Sequence, residues 1–236
     1  MNESRICIAL DFQTKAEVEE FLDKFQEEKL YVKVGMELFY GEGIEMIKAI
    51  KERGHKIFLD LKLHDIPNTV KSAMKQLAKL DVDMVNVHAS GSVAMMKAAI
   101  DGLQEGSIHG HRPLCIAVTC LTSLDQEILD NELLIHEPLE DVVLKWAENA
   151  KEAGLDGVVC SPLESKSIHE HLGMDFLTVT PGIRLASDSV NDQKRVTTPA
   201  MAKDLTSSYI VVGRTITRAD NPVETYREVY RQFQGE

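Results

Sequence analysis

The run Phe58-Leu59-Asp60-Leu61-Lys62-Leu63-His64-Asp65 sets charged side chains between leucines inside what reads as a strand. Strand side chains alternate faces, so Leu59, Leu61 and Leu63 share one side and Asp60, Lys62 and His64 the other. If helices cover the sheet, both faces lie away from bulk water. Carboxylate and ammonium groups placed there are costly unless they pair closely, and that cost points to a site. An edge strand with one wet face and an ordinary surface Asp-Lys pair is the plainer explanation of the same pattern.

Lys33 interrupts the apolar run Leu30–Val34 one strand earlier, where neighbouring strands can bring it beside Asp60. With Asp65 included, the charges form a Lys, Asp, Lys, Asp array. Each ammonium then sits between carboxylates and keeps its proton, while the carboxylates stay ionised. Other polar or special residues close the apolar runs: Asp11 the first, His88 the fourth, Thr119 and Thr122 the fifth, Pro181-Gly182 the seventh and Gly213-Arg214 the eighth. Singly, Asp11 could cap a helix, His88 could be a core histidine and Gly213 a turn residue. Their shared placement at run ends is the stronger observation.

Pro181-Gly182-Ile183-Arg184, then Gln193, then Gly213-Arg214 supply a second chemistry. Arginine grips phosphate oxygens in pairs, glutamine adds a neutral donor, and glycine lets a backbone N–H approach. These residues suit a phosphorylated ligand. The stretch 181–196, rich in Asp, Ser and Asn, has the composition of a lid that could close over it.

The elements that must position these groups follow from periodicity. Short β-branched or leucine-rich runs recur at Ile6–Leu10, Leu30–Val34, Lys56–Leu61, Met84–Val87, Leu114–Thr119, Gly157–Cys160, Phe176–Thr180 and Tyr209–Gly213. Segments of helical period lie between most of them: Ala16–Phe25, Gly43–Arg53, Val70–Leu80, Val93–Leu103, Leu139–Ala153 and Val223–Phe233. Alternation of this kind specifies a parallel sheet, and eight repeats in 236 residues predict a (β/α)8 TIM barrel ahead of an open doubly wound sheet. In such a barrel, sites gather at the C-terminal ends of the strands, and the loops after strands 7 and 8 frequently hold phosphate. No linker or charge block divides the chain, so residues 1–236 read as one domain.

A content of 44% hydrophobic and 27% charged residues is ordinary for a soluble protein. The net charge of −12 argues against nucleic acid or an anionic membrane as partner, because both demand a surplus of Lys and Arg. No apolar run approaches membrane-spanning length, and the residues after Met1 do not form a signal peptide, so the expected location is cytoplasmic. Cys7, Cys115, Cys120 and Cys160 lie far apart and read as buried, reduced thiols. His109-Gly110-His111 and His169-Glu170-His171 lack a third ligand nearby and read as solvated histidines in a loop and on a helix face. Neither a dinucleotide fingerprint nor a Walker loop is present.

Taken together, Asp60-Leu61-Lys62-Leu63-His64-Asp65-Ile66-Pro67-Asn68-Thr69, with Ala9-Leu10-Asp11, Lys33-Val34-Gly35, Pro181-Gly182-Ile183-Arg184 and Val212-Gly213-Arg214, resembles the orotidine 5′-phosphate decarboxylase family, most closely its compact bacterial form. The resemblance covers essentially the whole chain. It implies a homodimeric (β/α)8 barrel that converts orotidine 5′-phosphate to uridine 5′-phosphate and carbon dioxide in pyrimidine synthesis, without metal, flavin, pyridoxal or thiamine. It implies that Lys62 is the proton donor, that Lys33, Asp60 and Asp65 complete a charged tetrad, and that Asp65, Ile66 and Thr69 serve the neighbouring subunit's site. Asp11 and Lys33 would bind the ribose hydroxyls, Thr122 the pyrimidine edge, and Gln193, Gly213 and Arg214 the phosphate, with Pro181 and Arg184 close by. A sister branch, magnesium-dependent decarboxylases of 3-keto sugar-acid phosphates or hexulose-phosphate synthases, shares the Asp-x-Lys-x-x-Asp block but holds its metal with a Glu near the position of Lys33. A nucleotide-binding regulator without turnover is a third reading, which the intact tetrad argues against.

Overall fold

A computed structural model describes residues 4–26, 28–108, 110–186 and 197–235. Strand and helix alternate through β1 (Ile6–Ala9), α1 (Lys15–Asp23), β2 (Tyr31–Gly35), α2 (Met36–Glu52), β3 (Lys56–Leu63), α3 (Pro67–Ala78), β4 (Met84–His88) and α4 (Val93–Gly106). They continue through β5 (Leu114–Val118), α5 (Gln126–Asn131), α6 (Leu139–Glu152), β6 (Gly157–Val159), α7 (Pro162–Leu172), β7 (Leu177–Thr180), α8 (Pro199–Asp204), β8 (Tyr209–Val212), α9 (Arg214–Thr217) and α10 (Pro222–Gln234). The eight strands pair in parallel and in sequence order, and β1 pairs with β8 to close the barrel. The (β/α)8 architecture expected from the alternation is therefore the observed one.

Period-two alternation sorts each strand between two apolar regions. Ile6 and Ile8 of β1 pack outward with the helices, while Cys7 and Ala9 belong to a smaller cluster with Tyr31, Phe58, Met84 and Val211 that fills the barrel. Two residues beyond that filling, β2 carries Lys33, β3 carries Asp60 and β4 carries Asn86. The apolar plug thus gives way to polar side chains toward the C-terminal end of three adjacent strands.

The helices are set by local signals. Thr14 and Ser161 cap α1 and α7 with reciprocal Glu17 and Glu164 partners, and Pro67, Pro162, Pro199 and Pro222 start their helices where a missing N–H costs nothing. α2 begins at Met36 rather than at Gly43; Gly43 (φ 67°) kinks it instead. α4 lies close against α3, because a Cβ at Gly102 or Gly106 would stand 2.2 Å from the carbonyl oxygen of Lys71 or Lys75. All four cysteines are buried.

Two further sequence expectations need correction. Asp60, Lys62 and His64 do not simply share one strand face: pairing with β4 jumps from Leu59↔Val85 to Leu63↔Val87, and Lys62 sits at φ 51°. The bulge re-aims Lys62. His169 is not solvated but buried, its Nδ1 accepting from the Thr206 hydroxyl (2.9 Å) and its Nε2 donating to the Phe176 carbonyl (3.1 Å). His171 is exposed, and His109 lies outside the described residues.

Candidate active site

Asp60 is the centre of the charged cluster. One carboxylate oxygen accepts from Lys62 Nζ at 2.7 Å, and the other lies 3.4 Å from Lys33 Nζ. Lys33 Nζ is also 3.5 Å from Asp11 Oδ1, so it bridges two carboxylates. Exposure falls from 58% for the Asp11 side chain to 24% for Lys62, 14% for Lys33 and 10% for Asp60. Burial by itself would raise the Asp60 carboxyl. The Lys33 and Lys62 charges, with hydrogen bonds from Lys62 and Asn86, outweigh that and hold it below the usual carboxylate value.

The cluster borders a pocket of about 220 Å³, lined also by Phe12, Gly35 and Leu38. A larger cavity of about 400 Å³ lies between α6 and α7, lined by Val143, Leu163 and Ile168 with Glu140 and Glu164. Its lining holds carboxylates without a cation, so of these two it is the smaller pocket where opposite charges meet.

Asn86 is a residue that the sequence reading missed. It is buried, donates to Asp60 Oδ1 at 2.7 Å, and accepts the Lys62 backbone N–H at 2.8 Å. The signal was present: an asparagine interrupts the apolar run Met84–Val87, as Lys33 interrupts its own. His88, two residues on, is half-buried with its ring 5.6 Å from that of His64; burial, then the charges of His64 and Lys62, lower its pKa.

Asp65 does not join the cluster within its own chain. Its carboxylate accepts the Ile66 backbone N–H at 2.6 Å, and every residue from His64 to Thr69 is exposed. Ile66, at 66%, is a large apolar side chain left in solvent. Thr119 is committed to the Val159 carbonyl (2.9 Å), while Thr122 is half-buried in the turn after β5.

At the phosphate end expected from the sequence, Gly213 lies against the charged cluster, since a Cβ there would stand 3.4 Å from Asp11 Oδ2. Arg214 follows it as the first residue of α9. Pro181 and Gly182 (φ 84°) follow β7; the Arg184 N–H donates to the Thr197 carbonyl, and the Thr197 N–H to that of Gly182. These bonds join the two ends of the loop. Arg184 is buried, with its guanidinium on the Ile183 carbonyl at 3.1 Å. Gln193, like most of the expected lid, lies outside the described residues.

A profile described as "Orotidine 5'-phosphate decarboxylase / HUMPS family" matches residues 4–229. The chain belongs to this family. An orotidine 5′-phosphate decarboxylase of Bacillus mycoides (strain KBAB4) is 62% identical over 231 residues, covering 98% of this chain and 97% of its own. A solved orotidine 5′-phosphate decarboxylase from Lactobacillus acidophilus superposes with a TM-score of 0.87 at 46% identity, covering 98% of this chain and 99% of its own. A conserved protein from Geobacillus kaustophilus, titled uncharacterized, does so at 0.88 and 50% identity, over 97% and 99%. Family membership agrees with the resemblance drawn from the Asp60–Thr69 block and the Arg184 and Arg214 loops.

Proposed function

We propose that this protein decarboxylates orotidine 5′-phosphate to uridine 5′-phosphate in pyrimidine biosynthesis. The activity follows from membership of the family and from curated relatives at 62% identity over nearly the whole chain. The observation that carries the site assignment is Asp60 held between two lysines, 2.7 and 3.4 Å away, at the C-terminal mouth of a closed barrel.

Loss of carbon dioxide from the pyrimidine ring leaves a carbanion in the ring plane, where no carbonyl can take up its charge. An adjacent ammonium stabilises that charge and can then transfer its proton. Lys62 has this role in our reading, with Asp60 keeping it aimed. Asp60 also lies near the departing carboxylate, where repulsion weighs on the substrate more than on the transition state. Asp11 and Lys33 bind the ribose hydroxyls, Thr122 the pyrimidine edge, and Gln193, Gly213 and Arg214 the phosphate, with Pro181 and Arg184 alongside. Phosphate contacts remote from the reacting carbon supply the energy for closing the loop after β7 and assembling the charges.

The working unit is a homodimer in which Asp65, Ile66 and Thr69 enter the partner's site. Their support is the exposed run 64–69 and the exposed Ile66, beside a cluster in which Lys62 pairs with Asp60 while Asp65 bonds to its own Ile66 N–H. The whole chain acts as one barrel domain in the cytoplasm. No helix among the described residues is long and apolar enough to cross a membrane.

Magnesium chemistry of the sister branch is disfavoured because Lys33 occupies the space between Asp11 and Asp60, where its ammonium repels a divalent cation. The test is the fall in orotidine 5′-phosphate absorbance with excess chelator present. Undiminished turnover is expected. Turnover that returns only with added magnesium would favour the sister chemistry, and binding without turnover would favour a regulator.

A further inference from the structure

We propose that Asn86 is a positioning residue for the decarboxylation, fixing Asp60 and the backbone of Lys62 with the two ends of one amide. This rests on the reading of Lys62 as proton donor.

The geometry is specific in orientation. A carboxylate only accepts and a backbone N–H only donates, so the amide must turn its nitrogen to Asp60 (2.7 Å) and its oxygen to Lys62 N–H (2.8 Å). Asn86 is 1% exposed, so water does not compete for either bond.

Each bond meets a need created by the fold. Between Leu59↔Val85 and Leu63↔Val87, β3 advances four residues while β4 advances two, which breaks the regular ladder where Lys62 lies. Lys62 also adopts φ 51°, a conformation that is strained for a non-glycine residue and persists only where its surroundings hold it. The Asn86 carbonyl takes the Lys62 N–H where the ladder fails. The same amide grips the Asp60 oxygen that receives Lys62 Nζ, while Lys33 lies by the other oxygen. Asp60 is thus fixed from β2, β3 and β4. Removing Asn86 frees both the root and the tip of the proton donor's support without removing a group that reacts.

The test uses Asn86→Ala and the isosteric Asn86→Asp, each checked for folding and for binding of uridine 5′-phosphate, with Lys62→Ala alongside. In Asn86→Ala, kcat is expected to fall about 10- to 100-fold, with KM changed much less. The acid limb of the pH profile should move upward, because Asp60 loses a donor that favours its charged form. The groups facing Asp60 are otherwise unchanged: Lys33 from β2, Lys62 from β3, His88 from β4, and Asp11 beyond Lys33. A purely structural defect would lower the active fraction and leave that limb in place. Asn86→Asp keeps the acceptor for Lys62 N–H but sets a carboxyl against Asp60, so it should shift the limb further. Either variant, folded and binding product, with kcat within about twofold of the parent overturns the proposal. Substantial turnover by Lys62→Ala would instead overturn the reading on which it rests.

Discussion

Both ends of the barrel carry buried or half-buried charge, and the two ends use it differently. At the N-terminal end, each acceptor is committed to the backbone of a neighbouring strand. Asp83 takes the Ile57 N–H (2.8 Å), Asp156 that of Cys115 (2.7 Å), and the His55 ring that of Leu30 (3.1 Å). Arg112 then closes on Asp156 with two bonds, at 2.6 and 3.0 Å, and Lys51 on Asp83 at 3.2 Å. At the C-terminal end, Asp11, Lys33, Asp60 and Lys62 bond to one another beside a pocket. Buried charge alone therefore does not mark a site. Charge that ties down backbone marks a joint of the fold, even where Asp83 and Arg112 line a pocket of about 260 Å³, and charge bonded only to other side chains at the C-terminal strand ends marks chemistry.

The largest effects should come from the C-terminal cluster. Lys62→Ala and Asp65→Ala chains should each lose about 10³-fold or more in turnover. Mixed after proven subunit exchange, they should regain intact sites, up to roughly a quarter of the total, because half the dimers are hybrids with one complete site each. No recovery would place Asp65 within its own chain's site and remove the reason given for the exposed run 64–69.

A smaller effect should sharpen the account of the N-terminal end. Burial first, then the charges of Lys29 and Arg53, lower the His55 pKa from 6.5 to about 4. The folded chain keeps this ring neutral while the unfolded chain takes up a proton below about 6.5. Its contribution to stability is therefore intact above that pH and lost as pH falls from 6.5 toward 4, by at most about 3 kcal/mol. Denaturant unfolding of His55→Asn across this range should show a flatter slope than the parent. An unchanged slope would detach His55 from the acid sensitivity.

The contrast between the two ends was only half legible in the sequence. Lys33 and Asp60 could be read because each breaks an apolar run in phase with the barrel interior, and period two is a strong signal. Asn86 obeys the same rule but carries no charge, so it drew no notice. Lys62 could be named, but not its path to Asp60, because a bulge is a property of two strands together. His169 looked solvated because its partners, Thr206 and Phe176, reach it only through folding. Asp65 is legible as a charge, yet spacing carries no sign of which chain's site it serves, and its place in a partner's site is a proposal.

One substitution made at each end tests the central claim most directly: kcat/KM for orotidine 5′-phosphate and Tm, measured for Asp60→Asn and for Asp156→Asn. Asp60→Asn should lose at least about 100-fold in kcat/KM with little change in Tm. Asp156→Asn should keep kcat/KM within about threefold and lose about 4–8 °C in Tm, as expected for weakening a paired, half-buried carboxylate worth about 2 kcal/mol. The reverse outcome, an Asp60 variant that turns over normally or an Asp156 variant that is stable but inactive, would contradict the division of labour drawn here.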